Sequence, residues 1–107
     1  MPRRRALALA LPLLALAAPA IAQAWPERPV TLVQGFGAGG NADTIARVIA
    51  APLSAALGQP VVVEGRTGAG GNIASEHVAR ARPDGHTVIL LTGGHTVSAA
   101  LYRQLRF

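Results

Sequence analysis

Short apolar runs alternate with helical segments from residue 25 onward. Three runs are typical of buried strands, namely VTLVQ (30–34), VVVE (61–64) and HTVILLT (86–92). After the first run, apolar residues recur every four positions, as they do on one face of a helix. This predicted face comprises Ile45, Ile49, Leu53 and Leu57, with Val48 and Ala56 beside them. Two further helices are predicted over 72–81, with Ile73, His77 or Val78, and Ala81 facing inward, and over 97–105.

The predicted order of elements is therefore β-α-β-α-β-α. Strands that alternate with helices favour the α/β class, with a parallel sheet and right-handed crossovers. The β-branched run VVVE favours a central position for the second strand. Asn41 suits the N-cap of the first helix and Gly58 its C-cap, whereas Pro52 predicts a kink or a break between them. A turn is predicted at Arg82–Gly85, where Gly85 supplies a positive φ.

Two glycine-rich loops repeat one pattern. GAGGNAD (37–43) and GAGGNIA (68–74) each follow a predicted strand and open a predicted helix, and Gly93–His95 forms a third loop. Parallel strands bring these loops to the carboxyl edge of the sheet, where free N–H groups of helix N-termini face a shared crevice. Such a crevice suits a small anion, because glycine lets the backbone approach closely. The alternative is that the glycines serve only tight turns and close packing.

The first loop also satisfies a dinucleotide-binding pattern. Gly35, Gly37 and Gly40 fit G-x-G-x-x-G between a strand and a helix, and Glu64 ends the second strand, where an acid would bind ribose. An NAD-binding, Rossmann-like enzyme domain is thus the alternative hypothesis. The spacing to Glu64 is long, however, and the pattern leaves the second GAGGN loop unexplained. The small-anion interpretation is therefore favoured.

Five polar residues near these loops each have two possible roles. Asp43 can accept a hydrogen bond from a ligand or stabilise the helix N-terminus, and it would repel a bare carboxylate and so tune selectivity. Asn41 can contact a ligand or cap the helix. His95 can donate to an anion or satisfy a loop carbonyl. Thr92 and Thr96 are hydroxyl donors that can bind a ligand or act as caps.

Charge and motifs exclude several function classes. The net charge of +5 comes largely from Arg3, Arg4 and Arg5, and four scattered aromatic residues offer no stacking platform, so we expect no nucleic-acid binding. The sequence has no cysteine, no metal-binding spacing of its three histidines, and neither G-x-S-x-G nor a P-loop motif. We therefore expect no catalytic residue, no metal and no cofactor.

The N-terminus has the layout of a secretory signal peptide. MPRRR is followed by an apolar region over 6–20 that is shorter than the about 20 residues of a membrane span, and small-x-small motifs allow cleavage after Ala22 or Ala24. We expect residues 1–22 to direct export to the periplasm. An uncleaved membrane anchor is the alternative.

The mature part resembles a known family. WPERPVTLV, FGAGGNADTIAR, LGQPVVVEGRTGAGGNIAS, ARPDGHTVILL and HTVSAALYRQL match, in order, the N-terminal portion of the extracytoplasmic solute-binding proteins of the tripartite tricarboxylate transporter family, also called the Bug family. Departures include Gly35-Phe36 where the family has Pro-Phe, Ser98-Ala99 where it has Asn-Pro, and Arg106 where it has Pro. Family members also continue beyond the equivalent of Phe107, so the chain is expected to be an N-terminal fragment.

The resemblance implies a periplasmic-binding-protein type II fold, of which residues 25–107 form an incomplete first lobe. It implies capture of small organic carboxylates for a membrane transporter, without catalysis, by a protein that is monomeric when complete. The implied ligand-binding residues belong to the first and third loops, and they are Phe36, Gly37, Ala38, Gly39, Gly40, Asn41, Asp43, Thr92, Gly93, Gly94, His95 and Thr96. An incomplete lobe is expected to bind weakly or not at all by itself.

Overall fold

The computed structural model of the chain describes residue 22 and residues 24–107. Apart from residue 22, the predicted signal peptide lies outside the described residues. The elements, in chain order, are β1 (Val30–Gln34), α1 (Asn41–Leu57), β2 (Val61–Gly65), a 3₁₀ turn (Ala69–Gly71), α2 (Asn72–Ala79), β3 (Thr87–Ile89) and α3 (Gly93–Leu101). This order confirms the predicted β-α-β-α-β-α sequence of elements.

The three described strands form one parallel sheet in the order β2-β1-β3. Val30 pairs with Val61 at one end of the β1–β2 ladder, and Thr31 pairs with Thr87 in the β1–β3 ladder. The predicted central position of VVVE was wrong, because β1 takes that place. Within β2, Val62 is 52% exposed, so its β-branched composition reflects strand propensity and not burial on both faces. The parallel sheet confirms the predicted α/β class.

Helix α1 packs on the sheet through small residues. Ala42, Ala46 and Ala50 are buried, whereas Ile45 is 42% exposed and Val48 69% exposed. The predicted inward face was therefore wrong at Ile45 and Ile49, whereas Leu53 and Leu57 are half-buried. Alanine lets the helix lie close to the strands, and periodicity alone cannot tell a small buried face from a larger apolar face beside it.

The ends of α1 differ in part from their predictions. Gly40 is the N-cap and Asn41 is the first helical residue, while Gly58 ends the helix in the left-handed conformation, as predicted. The helix also continues through Pro52, so the predicted break does not occur. Val48, whose carbonyl loses its hydrogen bond to Pro52, lies on the exposed side, where water can replace that bond.

Helix α2 is shorter than predicted and turns a different face inward. Ala74 and Ser75 are its buried residues, and Ile73 is 49% exposed. The predicted inward position of Ile73 was therefore wrong. As in α1, small residues make the close contacts. The turn before β3 is confirmed, since Gly85 has a φ of +80°.

Strand β3 has three residues, and α3 begins at Gly93, four residues before the predicted start at Val97. Gly93–His95 is therefore the first turn of a helix and not a loop. Thr92 is the extended N-cap, and its backbone N–H donates to Nδ1 of His95 at 3.2 Å. This is the reciprocal half of a capping box, with histidine where glutamate or glutamine is usual.

In the part of the chain that the structure describes, no helix has the length and apolar character needed to cross a membrane.

Candidate functional site

A cavity of about 600 Å³ lies at the carboxyl edge of the sheet. Its walls come from all three strand-to-helix connections, and the lining residues are Phe36, Gly40, Asn41, Ala42, Gly70, Thr92 and Gly94. Five of these belong to the predicted ligand-binding set. Ala42 and Gly70 were outside that set, and Gly70 belongs to the second glycine loop, to which the resemblance assigned no ligand contact.

Two helix N-termini meet at this cavity. Asn41 and Ala42 begin α1, and Thr92 and Gly94 lie at the start of α3. The first N–H groups of a helix have no partner within the helix, and they form the positive end of its dipole. None of the lining residues carries a charge. The site can therefore attract an anion through backbone donors, the Asn41 amide and the Thr92 hydroxyl.

The first glycine loop is anchored by Gln34, a residue that is 1% exposed. Its Oε1 accepts a hydrogen bond from the Phe36 N–H at 2.8 Å, and its Nε2 donates to Oδ1 of Asp43 at 3.3 Å. Gln34 was not among the predicted site residues. The available signal was a polar amide at the end of an otherwise apolar strand, directly before the loop.

Asp43 faces the loop backbone and does not line the cavity. It is 4% exposed, and its Oδ2 accepts hydrogen bonds from Arg47 Nε and from the Gly39 N–H, both at 3.0 Å. The bond from Arg47, followed by the bond from Gly39, holds the pKa of Asp43 below its usual value. Asp43 therefore remains an ionised acceptor beneath the loop.

The middle of the first loop does not line the cavity. Gly37, Ala38 and Gly39 are exposed and do not line its walls. Gly39 has a φ of +78°, which a side chain would strain. These three predicted residues are thus close to the site without forming its surface.

His95 joins α3 to the second glycine loop. Because Nδ1 accepts the Thr92 N–H, Nε2 carries the proton and donates to the Gly71 carbonyl at 3.2 Å. Of its two predicted roles, the structure shows the bond to a loop carbonyl. Thr96 and His95 border a second cavity of about 410 Å³, together with Ser75 and Leu91.

The two glycine loops approach each other closely at Gly35. A Cβ on Gly35 would lie 2.7 Å from Gly71 Cα, so packing alone requires glycine there. Glu64, the acid that a dinucleotide site would use, forms an ion pair with Arg66 at 2.8 Å. Gly35 therefore has a packing role and Glu64 an ion-pair partner, without a dinucleotide. The described residues also contain no cluster of three or more His, Asp or Glu side chains that could hold a metal ion.

Comparison with known proteins gives a family and a fold. The family model described as the tripartite tricarboxylate transporter family receptor matches residues 45–107. A UPF0065 protein of Bordetella bronchiseptica is 48% identical over 98 residues, which cover 91% of this chain and 29% of that protein. The chain thus spans less than a third of the length of this relative.

Solved structures of similar proteins share the fold. The periplasmic binding protein BugD has a TM-score of 0.75 and 43% identity, over 78% of this chain and 28% of BugD. An R. palustris protein with adipate has a TM-score of 0.73 and 45% identity, over 78% of this chain and 28% of that one. MatC from Rhodopseudomonas palustris with bound malate has a TM-score of 0.72 and 45% identity, over 78% of this chain and 29% of MatC.

These relatives are solute-binding proteins, and none of them supports the alternative of a Rossmann-like enzyme. The sheet topology, the carboxyl-edge cavity and the match over 45–107 agree with one another. The chain belongs to the tripartite tricarboxylate transporter receptor family.

Proposed function

We propose that this chain supplies one wall of the binding site of a periplasmic solute receptor that captures a small organic carboxylate. The main support is the convergence of the α1 and α3 N-termini on the cavity of about 600 Å³. The similar proteins that hold malate and adipate support a carboxylate as the class of solute.

In the proposed complex, the carboxylate accepts hydrogen bonds from backbone N–H groups at Asn41–Ala42 and Gly93–Gly94. Asn41 and Thr92 add side-chain donors, and the ring of Phe36 forms an apolar wall for the carbon chain. A neutral site of this kind binds an anion through fixed dipoles, without the desolvation of a charged side chain.

The remaining parts of the proposal concern location and partners. We propose that residues 1–22 are a cleaved signal peptide, that residues 25–107 belong to the first lobe of the receptor, and that the complete protein is a monomer. It would deliver its solute to membrane subunits of a tripartite tricarboxylate-type transporter without catalysing a reaction. The similarity to the periplasmic binding protein BugD supports this location.

The test is calorimetry on the protein as its own host exports it, with succinate, malate and adipate as ligands. We expect at least one dicarboxylate to bind with a Kd in the micromolar range or below, and Gly94→Asp to weaken it at least about tenfold, because the added charge would meet the bound anion. A Cβ at Gly94 has no neighbour closer than 3.7 Å, so the substitution fits the fold.

Ala99→Asp is the matched control, since it adds the same charge at an exposed position of the same helix, outside the cavity lining. It should leave the affinity within about twofold. Failure of all three dicarboxylates to bind would contradict the proposed solute class. Equal binding by wild type and Gly94→Asp would contradict the proposed site.

A further inference from the structure

Three polar side chains hold the Phe36–Gly40 loop from beneath. Gln34 accepts the Phe36 N–H at 2.8 Å, and Asp43 accepts the Gly39 N–H at 3.0 Å. Gln34 and Asp43 are joined at 3.3 Å, and Arg47 donates to Asp43 at 3.0 Å. The network therefore reaches both ends of the loop that contributes Phe36 and Gly40 to the cavity.

Burial makes the network sensitive to loss of any member. Gln34 is 1% exposed and Asp43 4% exposed, so water cannot readily replace a lost partner. Both Asp43 oxygens accept hydrogen bonds, and each donor favours the ionised carboxylate. Arg47, whose side chain is 63% exposed, lies at the solvent end of the network.

The loop has little else to fix its conformation. Three of the residues from Phe36 to Gly40 are glycines, and adding a Cβ at Gly37 or Gly39 would meet no atom within 4 Å. Glycine has more backbone freedom to lose than other residues. One internal bond, from the Gly40 N–H to the Gly37 carbonyl at 3.1 Å, closes its far end.

We propose that Asp43 is a positioning residue that, through Gly39 and Gln34, orders the Phe36–Gly40 loop for solute binding without contacting the solute. This inference rests on the proposed function. A positioning Asp43 and a contacting Asp43 have different expected effects on binding, because a carboxylate in contact with the bound anion would repel that anion. Neutralising a contacting Asp43 would strengthen carboxylate binding, whereas neutralising a positioning Asp43 weakens binding of every solute that uses the loop.

The experiment compares wild type with Asp43→Asn, using succinate, malate and adipate as probes on the exported protein. The isosteric amide directs an NH₂ group toward Gln34, Gly39 or Arg47, all of which are donors. We expect the Kd of every probe that the wild type binds to rise about tenfold, and by a similar factor for each probe. We also expect hydrogen exchange of the Gly39 amide to accelerate at least about tenfold, beyond the change in global stability.

Asp84→Asn is the matched control. Asp84 also accepts a backbone N–H, from His86 at 3.0 Å, and an arginine bond, from Arg28 at 2.6 Å, but it lies at the amino end of the strands. The control should leave affinity and Gly39 exchange unchanged. Arg47→Gln is a milder second variant in case Asp43→Asn does not fold, and it should shift both quantities in the same direction by a smaller factor.

Tighter binding by Asp43→Asn, or an effect confined to one probe, would overturn the proposal in favour of direct contact. Unchanged Gly39 exchange would overturn it as well. If wild type binds none of the probes, the proposed solute class fails, while exchange at Gly39 still decides whether Asp43 orders the loop.

Discussion

Asp84 shows how one short acidic side chain can hold the segment before β1 against the sheet. Its Oδ1 accepts the His86 N–H, and its Oδ2 accepts a hydrogen bond from Arg28. The buried ring of His86 in turn accepts the Glu27 N–H at 3.2 Å through Nε2. The segment before β1 and the residue before β3 are thus held together through two side chains and the backbone.

These bonds predict a pH dependence of stability. The His86 N–H, and after it Arg28, lower the pKa of Asp84 from 3.8 to about 2, against an opposing effect of burial. Because the folded state favours the ionised form, the stabilisation is complete above pH 3.8 and is lost as the pH falls toward 2. Asp84→Asn should remove this dependence.

The measurement is the free energy of unfolding of wild type and Asp84→Asn at several pH values from 2 to 5. The difference between the two proteins should be largest at the upper end of this range and shrink toward the lower end. A constant difference across the range would show that Asp84 does not gain its low pKa on folding.

At the scale of elements, sequence predicts where a helix or strand lies better than which face it buries. The limits of β1 were predicted correctly and the start of α1 to within one residue, since an apolar run meets a glycine loop there. The buried face of α1 was not, because Ala46 carries a weaker apolar signal than Ile45. The start of α3 was missed because the capping box pairs Thr92 with His95, where glutamate or glutamine is usual.

The alanine face of α1 gives a prediction at the scale of this element. Ala46 is fully buried, and the helix packs on β1 and β2 across that face. Ala46→Leu should destabilise the fold by about 1–3 kcal/mol, because the larger side chain forces the helix away from the strands. Val48→Ala, at a position 69% exposed, should change stability by less than about 0.5 kcal/mol.

Chemical denaturation of both variants tests this assignment of faces. The opposite order, with Val48→Ala the more destabilising, would mean that the larger apolar face of α1 is covered in the protein that was measured. Ala46→Leu would then be the tolerated substitution, as the spacing of Ile45 and Ile49 predicts.

At the scale of the whole molecule, the connections follow from the sequence but the lateral order of strands does not. Alternating strands and helices predicted a parallel sheet, and with it a crevice at the carboxyl edge that five predicted residues line. The lateral order of the strands depends on contacts between residues that are far apart in the sequence. The network beneath the first loop was likewise missed, because Gln34 and Asp43 meet only when α1 lies on β1.

The surface of this chain carries many apolar side chains for its size. Leu101 is 72% exposed, Leu91 59%, Val62 52% and Val97 49%. The chain also spans 29% of the length of its B. bronchiseptica relative. Exposed apolar surface of this extent is typical of regions that are covered by other parts of a protein or by a partner.

A polypeptide of residues 24–107 produced alone should therefore associate with itself as its concentration rises. Burial of exposed Leu91 and Leu101 favours contact between copies, since each buried leucine contributes about 1.5–3 kcal/mol. Sedimentation velocity from low to high micromolar concentration measures the effect, and a Leu91→Ser, Leu101→Ser double variant should associate less. If the wild-type polypeptide stays monomeric and unfolds cooperatively, three strands and three helices are enough for a stable fold. These leucines would then drive no association between copies.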